Sequence, residues 1–307
     1  MGTRTKHCDV ENELMRTDGV RRLIINADDL GFTSGVNPAI VEAYTQGIVT
    51  SSTLMANGPA FAQAATLAKT VPSLSVGCHV VLIDGAPLLP ARRIPSLAAR
   101  NSIPMFHAGL KSFAACALVG RIDDDEITAE AAAQIRRVQE AGIRVTHFDT
   151  HKHTHLFPKI LRPLLRAARI CGVKALRNPF GPRFPFQPVQ LLKRPNLWTR
   201  YAEVRFLSPL ARYFREAVSR EGFVAPDGTL GIEVTGALDE SLFRAIGAKH
   251  PERHMGIRVP SWLQRRRSAR RKYATQGIPG NRAVYAFVSF HTFVFATVLR
   301  HSIASEK

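Results

Sequence analysis

The sequence predicts an α/β fold in which helices cover a parallel sheet or barrel. Two observations support this prediction. Short apolar runs alternate with amphipathic stretches between residues 21 and 180, and strands separated by helices usually pair in parallel. The chain has 307 residues, of which 45% are hydrophobic and 21% are charged, so it can bury a sizeable core.

The predicted strands are short runs of apolar and β-branched residues. The first contains Leu23-Ile24-Ile25, a continuous apolar run typical of a strand that is buried on both faces. The predicted strands cover residues 22–26, 48–55, 74–81, 144–148, 173–176 and 231–234.

The predicted helices are recognised mainly by their ends. The helix at 36–46 stops before Gly47, where a left-handed cap costs little, and Pro59 occupies the first turn of the next helix. The helix at 124–140 begins with acidic residues, which favour a helix N-terminus. The other predicted helices cover residues 59–69, 158–170, 207–218 and 239–246.

Two stretches depart from this alternation. Residues 83–122 contain several prolines and no clear period, which is typical of a lid, a small insert or a dimer contact. From about residue 252 arginine clusters interrupt any core pattern, although the apolar stretch 283–299 is strand-like and short for a membrane span. We therefore predict a folded domain at 21–250 and an atypical basic C-terminal tail at 251–307.

The chain is strongly basic, with a net charge of +18. Residues 151–200 contain eleven Lys or Arg and no Asp or Glu, and residues 251–307 contain eleven basic and two acidic residues. This distribution favours anionic partners such as a membrane surface, a nucleic acid or an acidic substrate. Four scattered cysteines and a polar N-terminus without signal-peptide features predict a cytoplasmic protein, peripheral to the membrane if its substrate is lipid-linked.

The candidate functional residues lie at the predicted strand ends. Asp28 and Asp29 end the first strand, His79 lies in the third, and Asp149 and His151 follow the fourth. Because ligands bind at the carboxyl ends of parallel strands, we expect these side chains to converge. Two imidazoles and one carboxylate leave open positions on a divalent ion, and a second carboxylate can accept a proton from the attacking water.

Simpler roles exist for the same residues. Either aspartate can cap the turn after the first strand. A single histidine in a strand is usually a core or surface residue whose hydrogen bonds are satisfied. In an extended chain Asp149, His151, His153 and His155 share one face, whereas in a helix His151 and His155 share one. The glutamate of a His-Glu-x-x-His zinc motif is absent, and a histidine-rich run can also bind metal adventitiously at a surface.

Four motifs in this order resemble the YdjC-like carbohydrate deacetylases, which include chitooligosaccharide deacetylases and a hopanoid-associated group. The resemblance covers about residues 21–245. The motifs are Asn26-Ala27-Asp28-Asp29-Leu30-Gly31, Gly47-Ile48-Val49-Thr50-Ser51-Ser52-Thr53-Leu54-Met55 followed by Asn57-Gly58, Gly77-Cys78-His79 with Leu82, and Thr146-His147-Phe148-Asp149-Thr150-His151-Lys152-His153-Thr154-His155.

The resemblance implies an irregular (β/α) TIM-like barrel with a divalent metal ion held by Asp29, His79 and His151. It also implies that Asp28 is the general base and that Arg177 is a catalytic arginine facing the site. The ion would be magnesium or zinc, and the reaction would remove an N-acetyl group from a carbohydrate or glycolipid that contains N-acetylglucosamine. A homodimer is compatible with this assignment, and no specific nucleic acid is expected.

One departure from the family pattern concerns the C-terminal end. Relatives end the barrel with an apolar strand and a His-Pro element whose histidine resembles a proton donor, whereas His250-Pro251 here follows a helix-like stretch. We therefore expect an incomplete barrel that binds metal and deacetylates poorly.

Two other functions compete with the deacetylase assignment. A metal-dependent sugar isomerase would need more carboxylates than the sequence offers between Asp149 and Glu203. The other is a nucleic-acid- or membrane-surface-binding protein that uses the arginine-rich tail and has an impaired barrel.

Overall fold

The fold was analysed in a computed structural model, which describes residues 22–99, 104–181, 195–232 and 285–290. The strands are β1 (Arg22–Leu30), β2 (Ser51–Leu54), β3 (Ser75–Val80), β4 (Ala98–Ala99), β5 (Met105–Phe106), β6 (Phe148–Thr150), β7 (Gly228–Leu230) and β8 (Tyr285–Phe290). The helices are α1 (Val36–Thr45), α2 (Phe61–Thr70), α3 (Leu110–Leu118), α4 (Asp124–Glu140), α5 (Pro158–Ile170), α6 (Pro195–Leu207) and α7 (Leu210–Arg220). Short 3₁₀ turns cover Ala91–Arg93 and His151–Leu156.

A parallel sheet forms the centre of the molecule. Its six strands follow the order β6-β3-β2-β1-β8-β7, and every neighbouring pair is parallel. Isolated parallel bridges between Phe148 and Leu176 and between Ala175 and Val224 continue the pairing beyond β6. The predicted α/β class with a parallel sheet is therefore confirmed as a curled, half-barrel sheet, and closure into a complete TIM-like barrel stays a prediction.

Helix α4 shows how the sequence fixes a helix and its position. The side chain of Asp123 accepts hydrogen bonds from the amides of Asp125 and Glu126, which satisfies donors that the first turn leaves unpaired. Buried Gln134 bonds both the amide and the carbonyl of Val81, at 2.8 and 2.7 Å. This pair of bonds attaches α4 to the end of β3, the strand that carries His79.

Several predicted strands were shifted along the chain. Regular pairing of β6 begins at Phe148, although the Thr146 amide already donates to the Val76 carbonyl at 2.9 Å. The strand predicted at 173–176 forms isolated bridges only. Strand β7 ends at Leu230, just before the strand predicted at 231–234, of which residues 233 and 234 lie outside the described part of the chain. A short strand gains its pairing from neighbours that are distant in sequence, so local composition predicts its ends poorly.

Two helices were missed in stretches that looked irregular. Helix α3 lies inside the proline-containing stretch 83–122, where its own segment is free of proline and buries Phe113 and Ala117. Helix α6 precedes α7, and α7 itself starts three residues later than the predicted 207–218.

The C-terminal segment contributes a strand that the sequence analysis assigned to the basic tail. Strand β8 lies between β1 and β7 and pairs with β1 from Arg22–Tyr285 to Ala27–Phe290. Residues 285–290 belong to the apolar stretch 283–299, and its predicted strand-like character is confirmed for these residues. The predicted helix at 239–246, the His250-Pro251 element and the arginine clusters lie outside the described residues, and the boundary at 250 stays a prediction.

The described helices were also compared with the length and hydropathy that a bilayer requires. None of them has both the length and the apolar composition needed to cross a membrane.

A glycine in β3 leaves room for a buried histidine from the β6 side of the sheet. A methyl group on Gly77 would lie 2.6 Å from Nε2 of His147. We expect Gly77→Ala to destabilise the protein by about 1–3 kcal/mol, because the ring must move within a packed interior. Urea denaturation with chelator present should show that this cost disappears in a His147→Ala background. An equal cost in both backgrounds would contradict the packing explanation.

Candidate functional site

The end of β1 carries two adjacent aspartates into the same site. In a regular strand neighbouring side chains point to opposite faces, but the β1–β2 register shifts between Ala27 and Leu30. Asp29 has a left-handed backbone, with φ of 64°, and its carbonyl accepts a hydrogen bond from the Phe32 amide at 3.0 Å. Such an irregularity re-aims side chains. As a result Asp28 and Asp29 both contact residues from other strand ends.

Asp29, His79 and His151 form a cluster with the ligand chemistry of a metal site. Oδ1 of Asp29 lies 3.4 Å from Nε2 of His79 and 3.5 Å from Nδ1 of His151. One ligand atom from each residue lies within 4.8 Å of the other two. The structure therefore brings together the three residues that the sequence analysis proposed as metal ligands.

The spacing of these atoms fits a single divalent ion. Protein ligands bind zinc at about 2.0–2.2 Å, so neighbouring ligands on one ion lie about 3–3.5 Å apart. The two measured separations from Asp29 fall at the upper end of this range. One oxygen and two nitrogen donors suit zinc or cobalt, and magnesium if water completes the shell. The donor set is consistent with a divalent metal and leaves its identity open.

Asp149 orients the imidazole of His79. Its Oδ1 lies 2.6 Å from Nδ1 of His79, so a proton on Nδ1 leaves Nε2 directed at Asp29. Burial acts to lower the pKa of His79, but the Asp149 carboxylate outweighs burial and the pKa rises to about 9. A positive charge is therefore favoured at this position, as a proton on the ring or as a metal ion beside it.

Arg177 connects the two buried carboxylates of the site. Its guanidinium donates to both oxygens of Asp28, with the Nη1–Oδ2 bond at 2.9 Å, and Nη2 lies 2.7 Å from Oδ2 of Asp149. Burial acts to raise the pKa of Asp28, but the charge and hydrogen bonds of Arg177 outweigh it and lower the pKa. The pKa of Asp149 is also lowered against burial, by Arg177 and then by His79. Both carboxylates are consequently held ionised at neutral pH.

Two further residues of this network were missed as functional candidates. Asn26 donates to Oδ1 of Asp28 at 2.6 Å and to Oγ1 of Thr53 at 3.2 Å. The Thr53 hydroxyl lies 3.3 Å from both Nδ1 of His79 and Oδ2 of Asp149. Both residues belong to motifs that carried the family resemblance, so the motifs held the signal.

The histidine-rich run does not keep one geometry. Lys152 and His153 have left-handed backbones, with φ of 52° and 55°, inside the 3₁₀ turn His151–Leu156. This kink breaks the common face expected for an extended chain and the repeat expected for a helix. His151 reaches Asp29, whereas His155 contacts Thr150 and the Arg177 carbonyl.

The rim beside this turn is held by an ion pair. Lys152 Nζ lies 2.6 Å from Oδ2 of Asp84, and Asp84 Oδ1 accepts a hydrogen bond from the Gly109 amide at 2.9 Å. The turn that carries His151 is thus attached to the loop after β3.

Two buried histidines make stability depend on pH. Burial lowers the pKa of His147 to about 4 and that of His155 to about 3, against about 6.5 in an unfolded chain. Below pH 6.5 the unfolded chain therefore binds more protons at these positions than the folded one. The protein consequently loses stability as the pH is lowered. The raised pKa of His79 adds no pH dependence in this range. Its contribution to stability is fully present below pH 6.5 and is lost as the pH rises towards about 9.

We expect the free energy of unfolding to decrease steadily from pH 6.5 to 4.5, and to decrease less steeply in His147→Asn. Urea denaturation at several pH values measures both slopes. Equal slopes for the two proteins would contradict the assignment of a neutral, buried His147.

These features define a parallel α/β protein with a carboxylate and imidazole cluster at the carboxyl ends of its strands. The family model described as YdjC-like protein matches residues 22–276. The chain therefore belongs to the YdjC-like family.

Curated relatives carry related names. The chain is 42% identical over 147 residues to a carbohydrate deacetylase of Brevibacillus brevis, a match that covers 48% of this chain and 55% of the relative. It is 44% identical over 140 residues to a carbohydrate deacetylase of Geobacillus stearothermophilus, covering 46% and 53%. It is 37% identical over 168 residues to a chitooligosaccharide deacetylase of Salmonella schwarzengrund, covering 51% and 59%. The chain thus spans about half the length of these relatives.

A solved structure shares the fold. It is the crystal structure of a protein described as a putative cellobiose-phosphate cleavage protein from Enterococcus faecalis V583, and it aligns with a TM-score of 0.58 at 22% identity. The alignment covers 89% of this chain and 81% of that one. At this identity the likeness concerns the fold alone.

Proposed function

We propose that this protein is a metal-dependent hydrolase that removes an N-acetyl group from a carbohydrate or glycolipid containing N-acetylglucosamine. The observation that carries the proposal is the cluster of Asp29, His79 and His151 at the strand ends of a YdjC-like chain. The names of the curated relatives support the N-acetylated sugar as the substrate class. A divalent ion in this cluster would lower the pKa of a water molecule and polarise the amide carbonyl.

The chain's own groups supply the proton chemistry and the positioning. Asp28 is the proposed base, and Arg177 keeps it ionised so that it can accept a proton from the attacking water. A lowered pKa makes Asp28 a weaker base but leaves it fully deprotonated at neutral pH. Asp149 fixes the ring of His79, so the imidazole presents Nε2 without needing to reorient.

Acetate release tests the proposal directly. We expect the protein to release acetate from N-acetylglucosamine oligomers or from a glycolipid that carries the same sugar, and to stop when a chelator is added. Asp28→Asn should lower kcat by about 10²–10⁴ while retaining bound metal. The absence of acetate from both substrate types, with metal demonstrably bound, would refute the deacetylase proposal.

The expectation of poor deacetylation had two premises. One was that no strand precedes His250-Pro251, and β8 leaves this premise untested because it lies after that element. The other was the position of His250-Pro251, which lies outside the described residues. Turnover compared with that of an intact relative tests what is left of this prediction.

The alternative function through the arginine-rich tail gains no support from the reported relatives. Its residues lie outside the described part of the chain. Homodimer formation, membrane-surface contact and a cytoplasmic location stay predictions from the sequence.

A further inference from the structure

His155 is buried beside the site and has both ring nitrogens engaged. Its Nδ1 lies 2.6 Å from the Thr150 hydroxyl, and its Nε2 lies 3.1 Å from the carbonyl oxygen of Arg177. Because a carbonyl oxygen can only accept, the proton is on Nε2, and Nδ1 accepts from the hydroxyl of Thr150. The same hydroxyl oxygen accepts a hydrogen bond from the His155 amide at 3.1 Å. Two chain segments are thus joined through one neutral ring.

The joined segments are the ones that present His151 and Arg177. Thr150 ends β6, and the next residue, His151, begins the 3₁₀ turn. The backbone of Arg177 is held from two sides, since its amide donates to the Phe148 carbonyl at 3.1 Å and its carbonyl accepts from His155. We call the contact between the Thr150 hydroxyl, the His155 ring and the Arg177 carbonyl the His155 clamp.

Helix α7 covers the outer side of the clamp. The ring of Phe214 meets the rings of His155 and Phe180 edge-on, with centroids 6.2 and 5.8 Å apart. Phe214 and His155 are both buried, so little water competes for the two hydrogen bonds. Hydrogen bonds in such surroundings resist exchange with solvent and fix a backbone position well.

We propose that His155 is a positioning residue, which fixes the backbone of Arg177 so that its guanidinium reaches Asp28 and Asp149. This inference rests on the proposed deacetylase function. It also assigns the second histidine of the His151–His155 pair a role other than metal binding, because both of its ring nitrogens already serve the clamp. In this proposal His155 contacts neither substrate nor metal, and its effect on catalysis passes through Arg177 and Asp28.

Two substitutions separate the clamp bonds. His155→Gln keeps a donor close to the position of Nε2, whereas His155→Asn places its amide near Nδ1 and falls short of the Arg177 carbonyl. We expect His155→Asn to lower kcat by about 10–100-fold, the range found when a group that orients an active-site residue is removed. KM should change by less than about twofold, because substrate contacts are untouched. His155→Gln should recover most of the lost kcat.

Binding of Zn²⁺ alone, measured by calorimetry, separates positioning from ligation. The Kd of His155→Asn should stay within about threefold of wild type, a spread of less than 1 kcal/mol. A loss of Zn²⁺ affinity as large as that of His151→Ala would overturn the proposal, because His155 would then be a ligand. Equal kcat losses in the Asn and Gln variants would also overturn it, because the bond to the Arg177 carbonyl would then not matter.

A measurement without substrate keeps this inference separable from the deacetylase proposal. Hydrogen exchange of the segment 174–180 should accelerate in His155→Asn and stay slow in His155→Gln, whatever the activity of the protein. If His155→Asn does not fold, Thr150→Val removes the hydroxyl with little change in shape and should accelerate exchange in the same segment. Unchanged exchange in the folded variants would refute the clamp even if acetate is released normally.

Discussion

Replacing His151 with alanine should weaken the binding of Zn²⁺ by more than about 100-fold and remove acetate release. Loss of a group that only orients a ligand typically costs 10–100-fold, so loss of a ligand itself should cost more. His79→Ala and Asp29→Asn should have effects of the same size, because each removes one of the three donor atoms. Titration calorimetry and the acetate assay measure the two quantities on the same samples.

His107→Ala provides a matched control for these variants. His107 is a histidine in the loop before α3, and its Nε2 lies 3.0 Å from the Ser96 carbonyl. Zn²⁺ affinity should be unchanged in this variant. A similar loss of affinity in His107→Ala and His151→Ala would indicate adventitious binding to surface histidines, and the proposed cluster would then have no special role.

Replacing Arg177 with methionine should destabilise the protein by about 3–5 kcal/mol. The change removes the guanidinium that pairs with Asp28 and Asp149 and leaves these two fully buried carboxylates without its charge. Breaking a buried ion pair from one side costs this much because a charge is left without compensation. Urea denaturation with chelator present measures the effect, and acetate release should be lost at the same time.

Arg212→Met is the control for the arginine substitution. Arg212 forms an ion pair with Glu216 one helical turn away, at 2.8 Å, but 84% of its side chain is exposed. Exposed pairs contribute little, so we expect no clear change in stability. If Arg177→Met lost as little stability as Arg212→Met, Asp28 and Asp149 would have to be solvated or protonated. That result would contradict the network described above.

The sequence predicted the strands and side chains that define the proposed centre. Asp28 and Asp29 come two residues after the apolar run Leu23-Ile24-Ile25, and His79 lies in a strand predicted within one residue of its observed ends. These positions were predictable because strand ends on one edge of a parallel sheet converge whatever the details of the fold. Arg177 was assigned by family resemblance, and its contact with Asp28 connects residues 149 positions apart.

The remaining features depend on contacts that local sequence does not encode. The register shift at the end of β1 and the left-handed backbone of Lys152 and His153 decide which side chains enter the site. Strand β8 is defined by pairing with β1, more than 250 residues earlier in the chain. Helix α3 was hidden by the prolines that precede it, because a proline ends a helix locally but says nothing about the next segment.

An anomalous difference map of a crystal soaked with Zn²⁺ tests the central claim most directly. The account predicts a strong peak within about 2.0–2.3 Å of Oδ1 of Asp29, Nε2 of His79 and Nδ1 of His151. His155 should keep its contact with the Arg177 carbonyl in the same crystal. A fully occupied zinc site elsewhere, with these three side chains left without the ion, would contradict the account.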